Sequence, residues 1–426
     1  MDSELNSLLL KFCELASSVR CSSAEEVRGA FNAGRFLVHK NVVFAPTDQV
    51  SIVLSKVVRR CEKVLGPRLA HEDDIRQLAW DVAAGQFGDA SAASAHFLKG
   101  IKEFQQKSHL LILPNYTIDL KTSVQGLTIG PVYLCRGKEI LDLINAKTTS
   151  RLNAAIGEHG SVKVEGDKLL LGVADVCWQV QVAAAQRNAY EEAAWLVDIA
   201  LSVLRLSYTR HTPLYPAVGE IEAHPTDRLQ SHNLAITKNA DGIQAGGLRI
   251  PLHYTVDDGT LKRIRAPNFA KKVAVLFDAP RTSLAVRFAH GLGWMSRARR
   301  SLDRSERLLF FFTAIEALLS TEDKTAPVVQ TIARHAATIL AQPKQRSRLA
   351  RDIKRSYEIR SALIHAGRRE VSHSEARDAH LLAEALYSRV WKMERLERPA
   401  VDFHTDLSEA SYGLSWPLRS RVKRSS

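Results

Sequence analysis

The sequence predicts a multidomain α+β protein: a helical N-terminal region, a mixed α+β middle module and an all-α helical bundle towards the C-terminal end. Three observations predict it. Apolar residues recur at helical spacing up to about residue 105. From about 106 to 260 the helical period gives way to short apolar, β-branched runs separated by turn residues, with one apolar helix among them. From about 266 the helical period returns with short connections, the pattern of antiparallel helices. A chain of 426 residues is also long for one core.

In the N-terminal region, 1–105, Leu5, Leu8, Leu9, Phe12 and Leu15 form one helical stripe behind Asp2 or Ser3 as cap. Ser23 opens a helix over 24–31, and Thr47 caps another over 50–64. Two more helices are expected over 73–84 and 92–104. His39, His71 and His96 stand alone and read as structural.

The middle module, 106–260, is expected to hold strands over 110–113, 116–120 and 127–134, broken at Pro114-Asn115 and Gln125-Gly126. A hairpin over 161–173 turns at Glu165-Gly166-Asp167. A strand over 176–182, an apolar helix over 188–206 containing Trp195, a loop with Pro213, Pro216 and Pro225, and a strand over 247–254 complete it. The module reads as a sensor or docking domain. Gly242, Gly246 and Gly247 lack phosphate-loop spacing, so the sequence offers no nucleotide-binding signature.

In the bundle, 266–398, helices are expected over 281–296, from an Asp303 cap with Leu308, Leu309, Phe312, Ile315 and Leu319 on one stripe, from Pro327 to about 340, and over 348–366 ending at Gly367. Ser372 and Glu375 form a capping box that opens the last, to about 397. The tail, 399–426, is polar with a basic end and is expected to be mobile.

Composition narrows the function classes. No apolar run is long enough for a membrane span, and the acidic N-terminus lacks the form of a secretory leader. Five dispersed cysteines without a C-x-x-C pair argue for free thiols in a reducing cytoplasm rather than for zinc or disulfides. The net charge of +13 points to a polyanionic partner. Arginines crowd the C-terminal third in three groups: Arg297, Arg299, Arg300, Arg304 and Arg307; Arg346, Arg348, Arg351 and Arg355; and Arg419, Arg421 and Arg424. Arginine suits phosphate because its planar fork engages two oxygens at once.

One stretch carries a chemical pattern. Arg360 and His365 lie five residues apart on one expected helix, about 140° apart around its axis. His365 falls in the last turn, where the helix end's partial negative charge favours a cation. A histidine there suits proton transfer, and an arginine suits a phosphodiester. Tyr357 and Ser361 flank the arginine, and Arg355 and Arg368 add positive charge for RNA. The spacing alone selects nothing, since Arg368 and His373 share it; Gly367 separates that second pair from the helix. Glu316 sits on the apolar stripe of an earlier helix, where a carboxylate needs a partner. Two readings stand for it: a structural partner of an arginine or tyrosine, or a group that orients Arg360.

The segment 281–396 resembles an Apea-like HEPN domain, a branch of the HEPN ribonuclease superfamily. The resemblance rests on the Ala314-Ile-Glu-Ala-Leu318 core of the 307–319 helix, on Thr331-Ile-Ala-Arg-His-Ala-Ala-Thr-Ile-Leu340, and on Tyr357-Glu-Ile-Arg-Ser-Ala-Leu-Ile-His-Ala-Gly367. It implies a metal-independent, cofactor-free endoribonuclease that works as a homodimer, Arg360 holding the scissile phosphate and His365 moving a proton. The products would be a 2′,3′-cyclic phosphate and a 5′-hydroxyl. Ser361 stands where many HEPN nucleases carry asparagine, aspartate or histidine, a departure from the family pattern. The resemblance suggests bacterial antiviral defence or toxin-like growth arrest, with a phage-derived trigger or regulatory protein as a further partner. Rival readings are a non-catalytic HEPN bundle for dimerisation or nucleic-acid binding, and a sensor of a viral component through the middle module.

Overall fold

Capping side chains write several helix starts into this chain. In the computed structural model the Ser23 hydroxyl accepts from the Glu26 amide while the Glu26 carboxylate accepts from the Ser23 amide. Thr47 accepts from Val50, Asp303 from Ser305 and Glu306, and Ser372 and Glu375 close the expected reciprocal box. The structure describes residues 3–417 apart from 67, 86–89, 107, 116–117, 138, 141–161, 166–167, 172–175, 186, 208–234, 240–241, 247–253, 302, 322–326 and 366–369. It is mostly helical, with a small four-stranded sheet in the middle of the sequence and helices towards both ends. The chain divides into two compact units, Met1–Leu111 with Gln181–Ala194, and Ile112–Val180 with Trp195–Ser426.

The first unit holds α1 Ser3–Ser18, α2 Ala24–Asn32, α3 Asp48–Leu65, α4 Glu72–Ala84 and α5 Ala90–Gln106. Leu5, Leu9, Phe12, Val50, Val57, Ile75, Ala79 and Phe97 build its core. A hairpin of β1 Leu37–His39 and β2 Val42–Phe44 was not expected from the sequence. Its two-residue turn, Lys40-Asn41, has φ of 45° and 64°, the conformation that matches strand twist but usually recruits glycine. Lys40 and His39 both reach Asp81, at 2.8 and 2.6 Å, which ties the turn down. His71 caps α4 by accepting from the Asp73 amide.

In the middle of the chain come β3 Ser108–Asn115, β4 Ile118–Leu120, β5 Gly126–Ile129, β6 Val132–Arg136, β7 Val162–Glu165, β8 Lys168–Leu171 and β9 Val176–Ala183. The sheet order is β3-β9-β6-β5, and β7 pairs with β8 as the expected hairpin. The run expected as one strand over 127–134 is instead folded back on itself, with Ile129 opposite Val132. Gly130 allows this: its φ is +58°, and a Cβ there would meet the Phe277 ring at 2.1 Å. None of the five cysteines forms a disulfide.

α6 Ala189–Leu206 is followed by the antiparallel pair β10 Ala235–Asn239 and β11 Gly242–Gly246. β12 Tyr254–Val256 lies parallel to β4. The strand expected over 247–254 falls mostly outside the described residues. Helix returns earlier than the sequence suggested, at α7 Asp258–Arg265, because the Asp257 carboxylate accepts from the Thr260 amide at 2.7 Å. The bundle then runs through α8 Pro267–Asp278, α9 Leu284–Arg300, α10 Arg304–Leu319, α11 Val328–Leu340, α12 Arg346–His365 after a short 3-10 turn, α13 His373–Met393 and α14 Ala400–Ser411. α9 packs along α10, α11 along α12, and α10 against α13. Gly291 on α9 permits the closest approach. A Cβ there would lie 1.4 Å from the Tyr387 hydroxyl, which donates to the Ala314 carbonyl at 2.8 Å.

The expected mobile tail is corrected over most of its described length. α14 buries Ala400, Phe403, His404, Leu407 and Ala410, spaced for one helical face, and Trp416 is buried beyond it. The polar residues between them hid that stripe. Residues 418–426, with Arg419, Arg421 and Arg424, lie outside the described residues. No helix among the described residues is long and apolar enough to cross a membrane.

Candidate active site on the α10 and α12 helices

α12 has no internal glycine or proline, so its twenty residues form one continuous helix from Arg346 to His365. Ile353 and Tyr357 are its buried apolar positions. Arg360 continues that packed side, three residues after Tyr357. There it meets Glu316 on α10. The Tyr357 hydroxyl donates to Glu316 Oε1 at 2.5 Å, and Arg360 Nη2 lies 3.1 Å from Oε1 and donates to Oε2 at 3.2 Å. The guanidinium also sits 5.3 Å from the centre of the Tyr357 ring, and Phe312 meets that ring edge-on at 5.4 Å. Burial pushes the Tyr357 phenol well above its usual value, and the adjacent carboxylate pushes it further, so it stays a donor.

This cluster is not sealed. Side-chain exposure is 21% at Arg360 and 23% at Glu316. Among the described residues Glu316 receives Arg360 through one terminal nitrogen, Nη2, and Nη1 makes no hydrogen bond. The arrangement is a cation held by a carboxylate and a tyrosine, with part of its fork uncommitted. Such a fork can take an anionic oxygen. Both partners weighed for Glu316 in the sequence, an arginine and a tyrosine, are the ones it meets.

His365 occupies the last residue of α12 and is exposed. At 100° per residue it lies about 140° from Arg360, so one helix presents the two on different sides. Ser361 is half-buried and Arg355 is exposed. Gly367 and Arg368 lie outside the described residues. Among those residues no cluster of histidine, cysteine, aspartate or glutamate could hold a metal ion.

The arginine groups separate sharply on inspection. Arg299 and Arg307 are buried, Arg300 is paired with Asp198, and Arg297 stacks between Trp195 at 4.7 Å and Trp294 at 5.3 Å. That first group is therefore mostly internal architecture and not a surface for a polyanion. Arg346, counted with the second group, is also buried; it donates to the carbonyls of Ala410 and Ala341. Composition cannot distinguish an arginine that holds two elements together from one that faces solvent.

A second polar cluster was missed in the sequence. Glu384 on α13 is 3% exposed and receives Arg205 Nε at 2.9 Å. Arg299 Nη2 at 3.3 Å and His380 Nε2 at 3.4 Å are its neighbours. Burial alone would raise this carboxyl, but His380 and the two arginines more than offset it and hold it well below the usual range. Burial pushes the His380 imidazole down to about 4 against the pull of Glu384, so it is neutral near pH 7. The signal was present: His380 and Glu384 stand four apart inside the stripe Ala376, Ala379, Ala383, Tyr387 and Val390.

No family model matches the chain, and no curated protein or solved structure matches it.

Proposed function

We propose that the C-terminal bundle is an HEPN-type endoribonuclease that cleaves RNA without a metal. The observation that carries the reading is Arg360, braced by Glu316 and Tyr357 yet left partly open, on the helix that ends in exposed His365. In this reading the arginine binds a non-bridging oxygen and stabilises charge as the 2′-hydroxyl attacks phosphorus. His365 serves the proton transfers: a base takes the 2′-hydroxyl proton, the bond to the 5′-oxygen breaks, and an acid protonates that leaving oxygen. The products are a 2′,3′-cyclic phosphate and a 5′-hydroxyl. Because the two side chains leave opposite parts of one helix, the complete site is assigned to a homodimer in which each protomer's helix faces the other. Antiviral defence or toxin-like growth arrest in a bacterial cytoplasm, under a phage-derived or protein trigger, belongs to the same proposal.

The test is incubation of the full chain with RNA in EDTA, beside Arg360→Ala and His365→Ala. Loss of one transition-state donor is expected to slow cleavage by about 100-fold or more. Equal cleavage by all three proteins sinks the assignment.

One observation favours a second reading. Arg360 is already paired with Glu316 and diverges from His365. A non-catalytic bundle that binds nucleic acid or dimerises would keep that pairing for stability alone. It predicts salt-sensitive RNA binding with no cyclic-phosphate product.

A further inference from the structure

Of the arginines in the first two groups, Arg348, Arg351 and Arg355 on α12 share a distinct setting. All three are exposed. At 100° per residue they fall within about 60° of one another around the helix, over a rise of about 10 Å. Acidic side chains stand at pairing distance in sequence: Asp352 is four after Arg348, and Glu358 is three after Arg355. Yet none of the three arginines forms an ion pair among the described residues; Arg351 Nε donates only to the Ser347 carbonyl, at 3.4 Å. Exposed Arg187 pairs with Asp73 at 2.5 Å and exposed Arg395 with Glu397 at 3.2 Å, whereas exposed Arg59, Lys63 and Lys102 form no ion pair among the described residues. What marks this face is three guanidiniums gathered within about 60°, with acidic partners in reach at i,i+3 and i,i+4 and not engaged. The phase also matters. His365 lies about 40° beyond Arg351 around the axis, on the stripe's side, whereas Arg360 lies on the packed side. Exposed Lys344 extends the positive face towards the start of the helix, and exposed Asp352 and Glu358 are its acidic interruptions.

We propose that Arg348, Arg351 and Arg355 form a track for the phosphates of an RNA strand, which leads the strand along the outer face of α12 to His365. The inference rests on the nuclease reading for its direction, and on the stripe alone for its binding. The contact is to backbone charge, so the track is indifferent to base sequence.

The probe is a fluorescein-labelled single-stranded RNA oligonucleotide, titrated with the full chain by anisotropy over a range of salt concentrations. The variant is Arg348→Gln, Arg351→Gln, Arg355→Gln together. Its control, Arg59→Gln, Lys63→Gln, Lys102→Gln, removes the same charge from exposed positions on α3 and α5. Three lost phosphate contacts should reduce the slope of log affinity against log salt by about 2, at roughly 0.7 per contact on a single strand. The control should keep the wild-type slope, as should a triple arginine-to-lysine variant of the stripe. If the wild type cleaves, the stripe variant should raise KM about tenfold and leave kcat unchanged, because the binding lost is shared by ground and transition states. An unchanged slope in the stripe variant, an equal fall in the control, or no RNA binding by the wild type overturns the track. A stripe-dependent slope without cleavage keeps the track and removes the nuclease. Stripe-independent binding with cleavage that needs His365 does the reverse.

Discussion

The bundle contains two carboxylates that gather arginines, and they differ in one respect. Glu384 is sealed, with its partners Arg205 and Arg299 each at most 4% exposed. Glu316 and Arg360 are each more than a fifth exposed, and Tyr357 is the buried member of the group. Desolvation makes the first cluster costly to open, since removing either sign strands a charge in a low-dielectric interior. The second is partly reached by solvent, so opening it costs less than opening the first. The same chemistry therefore gives a rivet in one place and a loosely held, pre-aimed cation in the other. Only the second is open enough to meet a ligand, as the nuclease reading requires.

The comparison breaks most visibly at the rivet. Glu384→Gln should destabilise the fold by about 3–5 kcal/mol, because two arginines lose their counter-charge inside the protein. Denaturant unfolding measures it, and a loss under about 1 kcal/mol would mean that the cluster is not sealed in solution.

Acid provides the next largest effect. His380 and His335 are held at about 4 against an ordinary 6.5, chiefly by burial. Both are neutral when folded, so the unfolded chain takes up more protons as pH falls. Stability should be level above pH 6.5 and should decline as pH drops from 6.5 towards 4, by up to about 1.4 kcal/mol per pH unit for each histidine. Thermal melts from pH 7.5 to 4.5 show this, and His335→Gln should flatten the decline.

The smallest effect is expected at the open cluster. Tyr357→Phe removes one hydrogen bond to Glu316 and should cost about 1 kcal/mol of stability. Glu316→Gln should cost a similar amount, and under the nuclease reading both should reduce cleavage by more than they reduce folding. Unfolding and RNA cleavage measured on the same preparations separate the two. Glu316→Ala tests the structural reading: if both Glu316 variants fail to fold, the residue belongs with Glu384 and the contrast collapses.

The two clusters were unequally legible in the sequence. Glu316 stood out because a lone carboxylate interrupted an aromatic and aliphatic run, and Tyr357 and Arg360 fell in one recognisable stretch. The Glu384 cluster draws Arg205 and Arg299 from helices far apart in the chain, and long-range pairing leaves little local trace. Helix starts were readable at Ser23, Thr47, Asp303 and Ser372, where a side chain caps its own neighbours, but not at Asp257, which caps α7 in the same way. The β1–β2 turn was not, since Lys40-Asn41 adopts positive φ without the glycine that usually announces it. Arginine counting overstated the polyanion surface because burial is decided by packing phase, which composition does not contain. The strand expected over 127–134 breaks at Gly130, a turn residue inside an apolar run.

The closing helix has a practical corollary. Arg346, at the foot of α12, donates to the Ala410 carbonyl, His335 on α11 meets Ser408, and His404 meets the Leu318 carbonyl on α10. Three helices are thus clasped by residues encoded after position 399. A nonsense or frameshift change between codons 400 and 410 would look like a minor truncation on a gene map. Its product would lack one wall of the bundle, and such alleles should behave as nulls.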